Sequence, residues 1–467
     1  MEHPIEITKK KRTFIFINII IACIASSMLA TALTTALPVM LDEFQVTVTT
    51  GQWLTGGYSL AMGIMMPLTA FLMNRVPTRR LYITAIVVFI TGLVLSVLAP
   101  GFSVLMCGRV LQACGNGILT AMAQVIILTI YPAEQKGSAM GWYGLSVGAA
   151  PVIAPTLAGI LVDTCGWRMI FYVAIAIMGI ALLFAVLHFD DVLDTAKKKF
   201  DLLSFALSVF AFGGITLGVG NLGSVPFASL SAGGMLAVGV AAGIVFVYRQ
   251  LHLPQPFLEI RILKDRNYAF SVGGSMLLYL VMMGSSILLP LYVQSIMGYS
   301  ATISGLVTLP GSLAMALVSP FAGKLYDKVG MKLLFIAGAV CMLVSNIGMV
   351  LITLQTPVWL PAVYNVIRCI SIGCLMMPVV TWGVGNLDKS STPHATALLT
   401  SLRTIAGAIG MAVFVSLMTS VADRVFLPEE AAQIYGLNVA FAAMSLASVG
   451  LLFLAIAGGR RQENTGT

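Results

Sequence analysis

The chain has 467 residues, of which 58% are hydrophobic and only 9% charged, against about 25% charged in an ordinary soluble domain. Its mean hydropathy is +0.97. No water-soluble fold hides that much apolar surface, so a soluble enzyme, a disulfide-stapled secreted domain and a disordered chain are excluded. The net charge of +8 raises nucleic acid as a partner, but the placement of the charges removes it. The seven cysteines form no C-x-x-C pair and read as small packing residues.

A helix needs about 20 mostly apolar residues to cross a bilayer core. Fourteen such runs follow in order, near 14–40, 50–73, 81–100, 104–130, 138–162, 169–189, 202–221, 230–249, 268–296, 302–323, 333–355, 359–382, 395–421 and 437–459. The first is too long for a cleavable signal and ends without a small-residue cleavage site. An even count places both termini on one side. Twenty-one of the 26 basic residues fall on that side, in the tails, in the loops holding Arg75, Arg79, Arg80, Lys136, Lys324, Lys328, Lys332 and Lys389, and around the inserted runs at Lys197, Lys198, Lys199, Arg249, Arg261, Lys264 and Arg266. The other side keeps only Arg168 and Arg424. By the positive-inside rule both termini are cytoplasmic, and the basic surplus is a topology signal.

The chain also repeats. Pro67, Ala70, Leu72, Asn74, Arg75 and Arg79 align without gaps on Pro320, Gly323, Leu325, Asp327, Lys328 and Lys332, at an offset of 253 residues. Ala36 to Pro38 and Leu288 to Pro290 agree at an offset of 252. Runs one to six therefore match runs nine to fourteen, with runs seven and eight inserted between them. The expected organisation is a cytoplasmic tail (1–13), a six-helix bundle (14–189), a linker with two inserted helices (190–267), a second six-helix bundle (268–459) and a tail (460–467). Two repeated six-helix halves are the pattern of a transporter that rocks about a midplane site.

Several residues in the apolar runs need a physical reason. Arg109, Arg368 and Arg403 are cations at membrane depth, costing about 2.5 kcal/mol or more each on insertion scales. Arg109 lies near the outer end of its run, where snorkelling is the plain alternative to a role in coupling. Arg368 and Arg403 lie deeper and are expected to face protein or a wet cavity. All eighteen acids fall in loops or at run ends. A proton antiporter needs a titrating group, and Asp42, Glu43 and Asp163 are the acids near an outer vestibule. His3, His188, His252 and His394 all read as peripheral, so no metal site or histidine relay is expected. Polar and aromatic groups suited to a substrate cavity are Gln52, Trp53, Tyr58, Asn116, Gln124, Trp142, Tyr279, Tyr292, Gln294 and Asn365, with Arg368 and Arg403. The 26 methionines suit an adaptable wall. Gly148, Pro151, Pro155 and Gly159 follow at spacings of 3, 4 and 4, on one helix face, as a packing face or hinge. Asp327 is suited to cap a neighbouring helix N-terminus, Gly323 to allow close packing, and the uncharged Asn74 to form a weaker counterpart.

These patterns resemble the major facilitator superfamily and, more narrowly, its fourteen-spanner drug/proton antiporters of the QacA/EmrB type. Gln52-Trp53 and Tyr58 are similar to that family's second-helix pattern. Gly323, Leu325, Asp327 and Gly330 match its cytoplasmic loop motif, and Arg109, Gln112, Gly115 and Gly117 its fourth-helix arginine motif. Ala154, Pro155, Ala158 and Gly159 resemble its antiporter motif. Leu289, Pro290, Gln294, Gly298, Tyr299, Ser300, Gly305 and Pro310 resemble its ninth and tenth helices. The resemblance implies an all-α polytopic major facilitator fold of fourteen spans and a monomer in the lipid bilayer. It also implies export of amphipathic small molecules in exchange for protons by alternating access, without cofactor, metal or nucleic acid. Arg109 is then the coupling residue; Asn74, Gly323, Asp327 and Gly330 the conformational lock; and Gly148, Pro151, Pro155 and Gly159 the hinge.

The chain departs from this pattern where Met28 to Thr31 carry no acid in the first run, where Asn74 and Pro77 replace aspartate and glycine, and where Ala154 and Ala158 replace glycines. The absent first-run acid counts against cationic substrates and motivates an alternative, export of a neutral or anionic metabolite, lipid or lincosamide-like antibiotic. A membrane enzyme would need paired acids or H-E-x-x-H at depth, a sensor a soluble output domain, and an ATP-driven pump a P-loop; the sequence offers none of these.

Overall fold

A computed structural model describes residues 8–46, 48–51, 53–193, 201–221, 228–299, 301–385, 387–388 and 391–458. The described residues form helices and connecting turns, with no strands. In chain order the helices are α1 (Lys9–Phe44), the single turn α2 (Val48–Gly51), α3 (Trp53–Arg75), α4 (Thr78–Val97), α5 (Phe102–Ile130), α6 (Lys136–Cys165) and α7 (Arg168–His188). Then come α8 (Leu202–Asn221), α9 (Met235–His252), α10 (Arg266–Leu291), α11 (Ala301–Val329), α12 (Met331–Val350), α13 (Trp359–Gly385), α14 (Thr392–Ala422) and α15 (Glu429–Gly458). Thirteen helices among the described residues are long and apolar enough to cross a membrane. The fifth apolar run of the sequence falls on the 30-residue helix α6, which is not among those thirteen.

Packing repeats along the chain. Helix α1 lies against α6 and α7, α4 against α5 and α7, and α3 against α5. Later, α10 lies against α14 and α15, α12 against α13 and α15, and α11 against α13. Helices α8 and α9 pack on each other, with α8 also touching α3 and α14. Their contact depends on bare backbone: a methyl on Gly214 would stand 2.7 Å from the Gly239 Cα. At one end of this pair Asp201 binds Arg249 at 3.0 Å. Burial raises the Asp201 pKa, but hydrogen bonds from Ser204 and Arg249 outweigh it and hold the carboxyl below its ordinary value. Two long seams join the earlier helices to the later ones, α6 along α11 and α3 along α14.

The basic loops share one end of the molecule. Lys11 pairs with Asp190 after α7, the Arg12 guanidinium lies 4.8 Å over the Tyr131 ring before α6, and the Arg79 backbone N–H donates to Asp191 at 2.8 Å. Arg266, opening α10, donates to the Ala457 carbonyl near the end of α15. The start of α1 and the end of α15 therefore lie with those loops. At the opposite end, Glu43 accepts from the Trp167 indole at 2.6 Å and pairs with Arg168 at 2.7 Å.

Candidate functional site

Packing density changes along the long helices. In α5 every residue from Gly115 to Leu128 is buried except Thr120, and in α13 every residue from Met377 to Val384. In α14 the run Thr392 to Ser401 is buried without a break. All three tight stretches lie toward the basic end. Toward the other end, methyls on Gly56 and Gly63 of α3 and on Gly305 of α11 would meet nothing within 4 Å. The helices are thus drawn together at the basic end, while these three glycines face no protein neighbour.

The α6–α11 seam is closed by the loop-motif residues. The Asp327 carboxylate accepts from the Gly137 N–H at 2.8 Å and from the Ser138 N–H at 2.7 Å. Those amides open α6 and have no acceptor within their own helix. The two N–H donors and the helix dipole favour a carboxylate there, against the larger opposing cost of its burial. Close approach requires glycine on both sides. A methyl on Gly323 would collide with the Gly137 carbonyl, and one on Gly141 would stand 2.6 Å from the Ser319 carbonyl oxygen. Gly330 turns the chain from α11 into α12 at φ +76°, in the left-handed region that favours glycine. Gly148 continues the seam, where a methyl would meet the Met315 side chain at 2.8 Å. Gly159 is half-buried further along α6, and the helix runs unbroken through positions 151 and 155. The side chains of Pro151 and Pro155 lie outside the described residues.

The α3–α14 seam is closed at the equivalent place by different atoms. The Asn74 amide donates to the Ala70 carbonyl at 3.1 Å and meets His394 Nε2 at 3.0 Å. Because the amide N–H₂ faces the ring, Nε2 is the acceptor in this arrangement. His394, read from the sequence as peripheral, is only 4% exposed. Its burial comes from α3, a long-range contact that hydropathy along α14 cannot show. The repeat carried a usable signal, since the Asp327 carboxylate caps α6 and its counterpart Asn74 should meet the start of α14.

The three membrane arginines are all buried. Arg109 is best provided for. Its Nε donates to the Leu54 carbonyl at 3.2 Å, its Nη1 to Gln112 at 2.8 Å, and its guanidinium lies 4.1 Å over the Tyr58 ring. Gln112 in turn donates to Ser96 Oγ at 2.8 Å, and Asn116 to the Tyr58 hydroxyl at 2.8 Å. Arg368 donates to Asn365, whose amide reaches the Thr308 carbonyl at 3.4 Å. Arg403 is less well provided for. Its Nε and Nη1 are buried without an acceptor, and its guanidinium lies 4.7 Å over the Tyr279 ring. Among the described residues none of the three arginines pairs with an acid.

The remaining cavity residues divide. Asn116 and Gln124 are buried with the arginines, and so is Tyr292, which starts a wider helical turn after α10. Trp53 and Trp142 are about half exposed, and Gln294 is exposed. Trp142 stands about a third of a turn from the glycine face of α6. Gln52 lies outside the described residues. Asp42 and Asp163 are exposed at the end away from the basic loops. Glu43 is there too, its pKa lowered by the Trp167 hydrogen bond, with Arg168 adding to the effect. Sequence reasoning missed Tyr143, which is fully buried on α6 within electrostatic reach of Cys23, Gln124, Tyr279 and Arg403. Of the cysteines taken as packing residues, Cys23 is buried while Cys107 and Cys165 are exposed. No group of three or more metal-ligating side chains occurs among the described residues.

The chain belongs to the major facilitator superfamily, which it matches over residues 15–411. It is not an enzyme but a multi-pass membrane transporter. The MFS-type transporter YcnB of Bacillus subtilis (strain 168) is 36% identical over 425 residues, covering 90% of each chain. The lincomycin resistance protein LmrB of the same organism is 35% identical over 408 residues, covering 87% of this chain and 85% of that one. Among solved structures, the human organic anion transporter MFSD10 (TETRAN) superposes with a TM-score of 0.62 at 13% identity, over 95% of this chain and 99% of that one. At that identity the likeness shows the fold alone.

Proposed function

We propose that the chain is a fourteen-span secondary transporter that exports amphipathic small molecules by alternating access, driven by the proton gradient. Helix α6 supplies the fourteenth span. Helices α1 and α3–α7 form one half, α10–α15 the other, and α8 and α9 the insert, in a monomer with both termini cytoplasmic. The observation that carries this reading is the pair of seams closed at the basic end, from which an opening at the other end is inferred. With the basic loops cytoplasmic, this conformer opens outward. Rocking the halves about the glycine seam releases Asp327 and Asn74 and opens the chamber inward.

Proton coupling is proposed to run through Arg109, whose hydrogen bonds reach from α3 through α5 to α4. Among the acids, Asp42 and Asp163 stay available at the outer rim. Glu43, held below its ordinary pKa by Trp167 and Arg168, is the least suited to carry a proton. His394 adds a titratable group at the gate itself. An imidazolium would present N–H to the Asn74 amide, and turning that amide would set its oxygen against the Ala70 carbonyl. Protonation there releases the α3–α14 seam. The alternative substrate class, neutral or anionic compounds, gains from three buried arginines without a membrane acid and from the name of the 35% identical lincomycin resistance protein.

Proteoliposomes with an imposed pH gradient test this. Uphill movement of lincomycin or a fluorescent amphipath is expected, stopping when the gradient is collapsed. Arg109→Ala should cost at least a hundredfold in uphill rate while the protein still inserts. Uphill movement that survives collapse of the gradient would refute proton coupling.

A further inference from the structure

We infer that Arg403 is the anchor of a binding subsite for the acidic group of an amphipathic organic anion. This deepens the transporter reading and rests on it. Arg403 is 5% exposed, with Nε and Nη1 both lacking an acceptor. The guanidinium lies 4.7 Å over the Tyr279 ring, a contact that leaves its N–H groups available for hydrogen bonds. Among the described residues no acid pairs with it; α3, α5, α10, α13 and α14 contain neither Asp nor Glu, and the one acid of α6, Asp163, lies at its far end. Two further buried polar groups lie nearby, the Tyr143 hydroxyl and Gln124 Oε1, which interact with each other but make no well-formed hydrogen bond. Tyr143 and Gln124 come from α6 and α5, Tyr279 and Arg403 from α10 and α14. The subsite therefore straddles the two sets of helices whose separation would open the chamber.

Its depth also fits. Arg403 follows directly on the fully buried run of α14 that ends at Ser401 and precedes the looser part of the helix. It stands at the floor of the open end. Nε and Nη1 lie on different edges of the guanidinium, so each can donate one charge-assisted bond to an acidic oxygen rather than acting as a single fork, and the nearby Tyr143 hydroxyl can donate another. A cationic compound placed there meets an unscreened like charge. The apolar body of the ligand is left to the surrounding side chains, among them Met283, which packs beside Gly407 one helical turn further along α14.

The test uses purified full-length protein in nanodiscs and reads binding, so it stands apart from uphill transport. Phenylacetate, 1-naphthaleneacetate and 1-pyrenebutyrate are each compared with their neutral amides at pH 7, by calorimetry and by shift in melting temperature. Wild type should bind at least one acid ten times or more tighter than its amide. Arg403→Gln should abolish that preference, Arg403→Lys should keep part of it, and Arg403→Gln without ligand should melt no lower than wild type. Equal or absent binding of every acid and amide by wild type overturns the subsite. So does an unchanged acid preference in Arg403→Gln. A large loss of ligand-free stability in Arg403→Gln overturns it as well, because it would make Arg403 a structural support. Failure of uphill transport alongside an Arg403-dependent acid preference would sink only the transport reading.

Discussion

The α6–α11 and α3–α14 seams occupy equivalent places in the repeat and close the same end of the molecule, yet with different chemistry. At α6–α11 a carboxylate spans two backbone amides at 2.8 and 2.7 Å, with glycine on both helices. At α3–α14 one neutral amide meets one imidazole at 3.0 Å. The first is a charge-assisted helix cap over a backbone-tight contact. The second is a neutral contact between two side chains. On the proposed reading, a duplicated gate need not be used twice in the same way: the α6–α11 seam is the stiff closure and the α3–α14 seam the responsive one.

The comparison breaks most readily at the stiff seam. Gly323→Ala forces a methyl into the Gly137 carbonyl, an overpacking cost of about 1–3 kcal/mol paid only in the closed form. Transport should fall at least tenfold, and cysteines placed at the basic end should become more reactive to aqueous maleimide. Asp327→Asn keeps the shape but loses the charge at the α6 N-terminus, about 1–2 kcal/mol. The open-to-closed ratio, followed by the same labelling, should rise about tenfold. His394→Ala removes one neutral bond, about 0.5–1.5 kcal/mol, and should shift that ratio only a few-fold while flattening its dependence on pH.

The smallest effect belongs to the other end. Glu43 is fastened to Trp167 and Arg168 within the earlier helices. Its pKa is lowered in the folded protein, so the stability it contributes is present above the unfolded carboxyl pKa and lost as pH falls through the folded one. The carboxylate is 40% exposed, so solvent screening leaves a fraction of a kcal/mol. Glu43→Gln should lower the melting temperature slightly at neutral pH, leave it unchanged in strong acid, and not alter the balance between the seams.

Much of this was legible in the amino acids because lipid imposes simple rules. Helix positions follow hydropathy, and the basic loops mark one end. Asp327, Gly323 and Gly330 announce their work through the repeat and through residue types that suit a cap, a close contact and a left-handed turn. Arg109, Arg368 and Arg403 stand out because a guanidinium in an apolar run needs a reason. What was hidden depends on which faces meet across hundreds of residues. His394 reads as a run-edge residue until α3 covers it, and Tyr143 as an ordinary aromatic until Arg403 is placed near it. Trp142, expected in the cavity, is about half exposed on α6, a degree of exposure that hydropathy along the run does not show.

The central claim is that closure at the basic end and opening at the other are two phases of one motion. Spin labels at Glu134 and Lys328 bracket the α6–α11 seam at the basic end, and labels at Asp163 and Leu306 bracket the far ends of the same helices. Double electron–electron resonance on both pairs, across pH and with added substrate, measures the claim directly. The account requires the two distances to change in opposite senses, one lengthening as the other shortens. Distances that moved together, or a far end that opened and shut while the basic end stayed fixed, would contradict it.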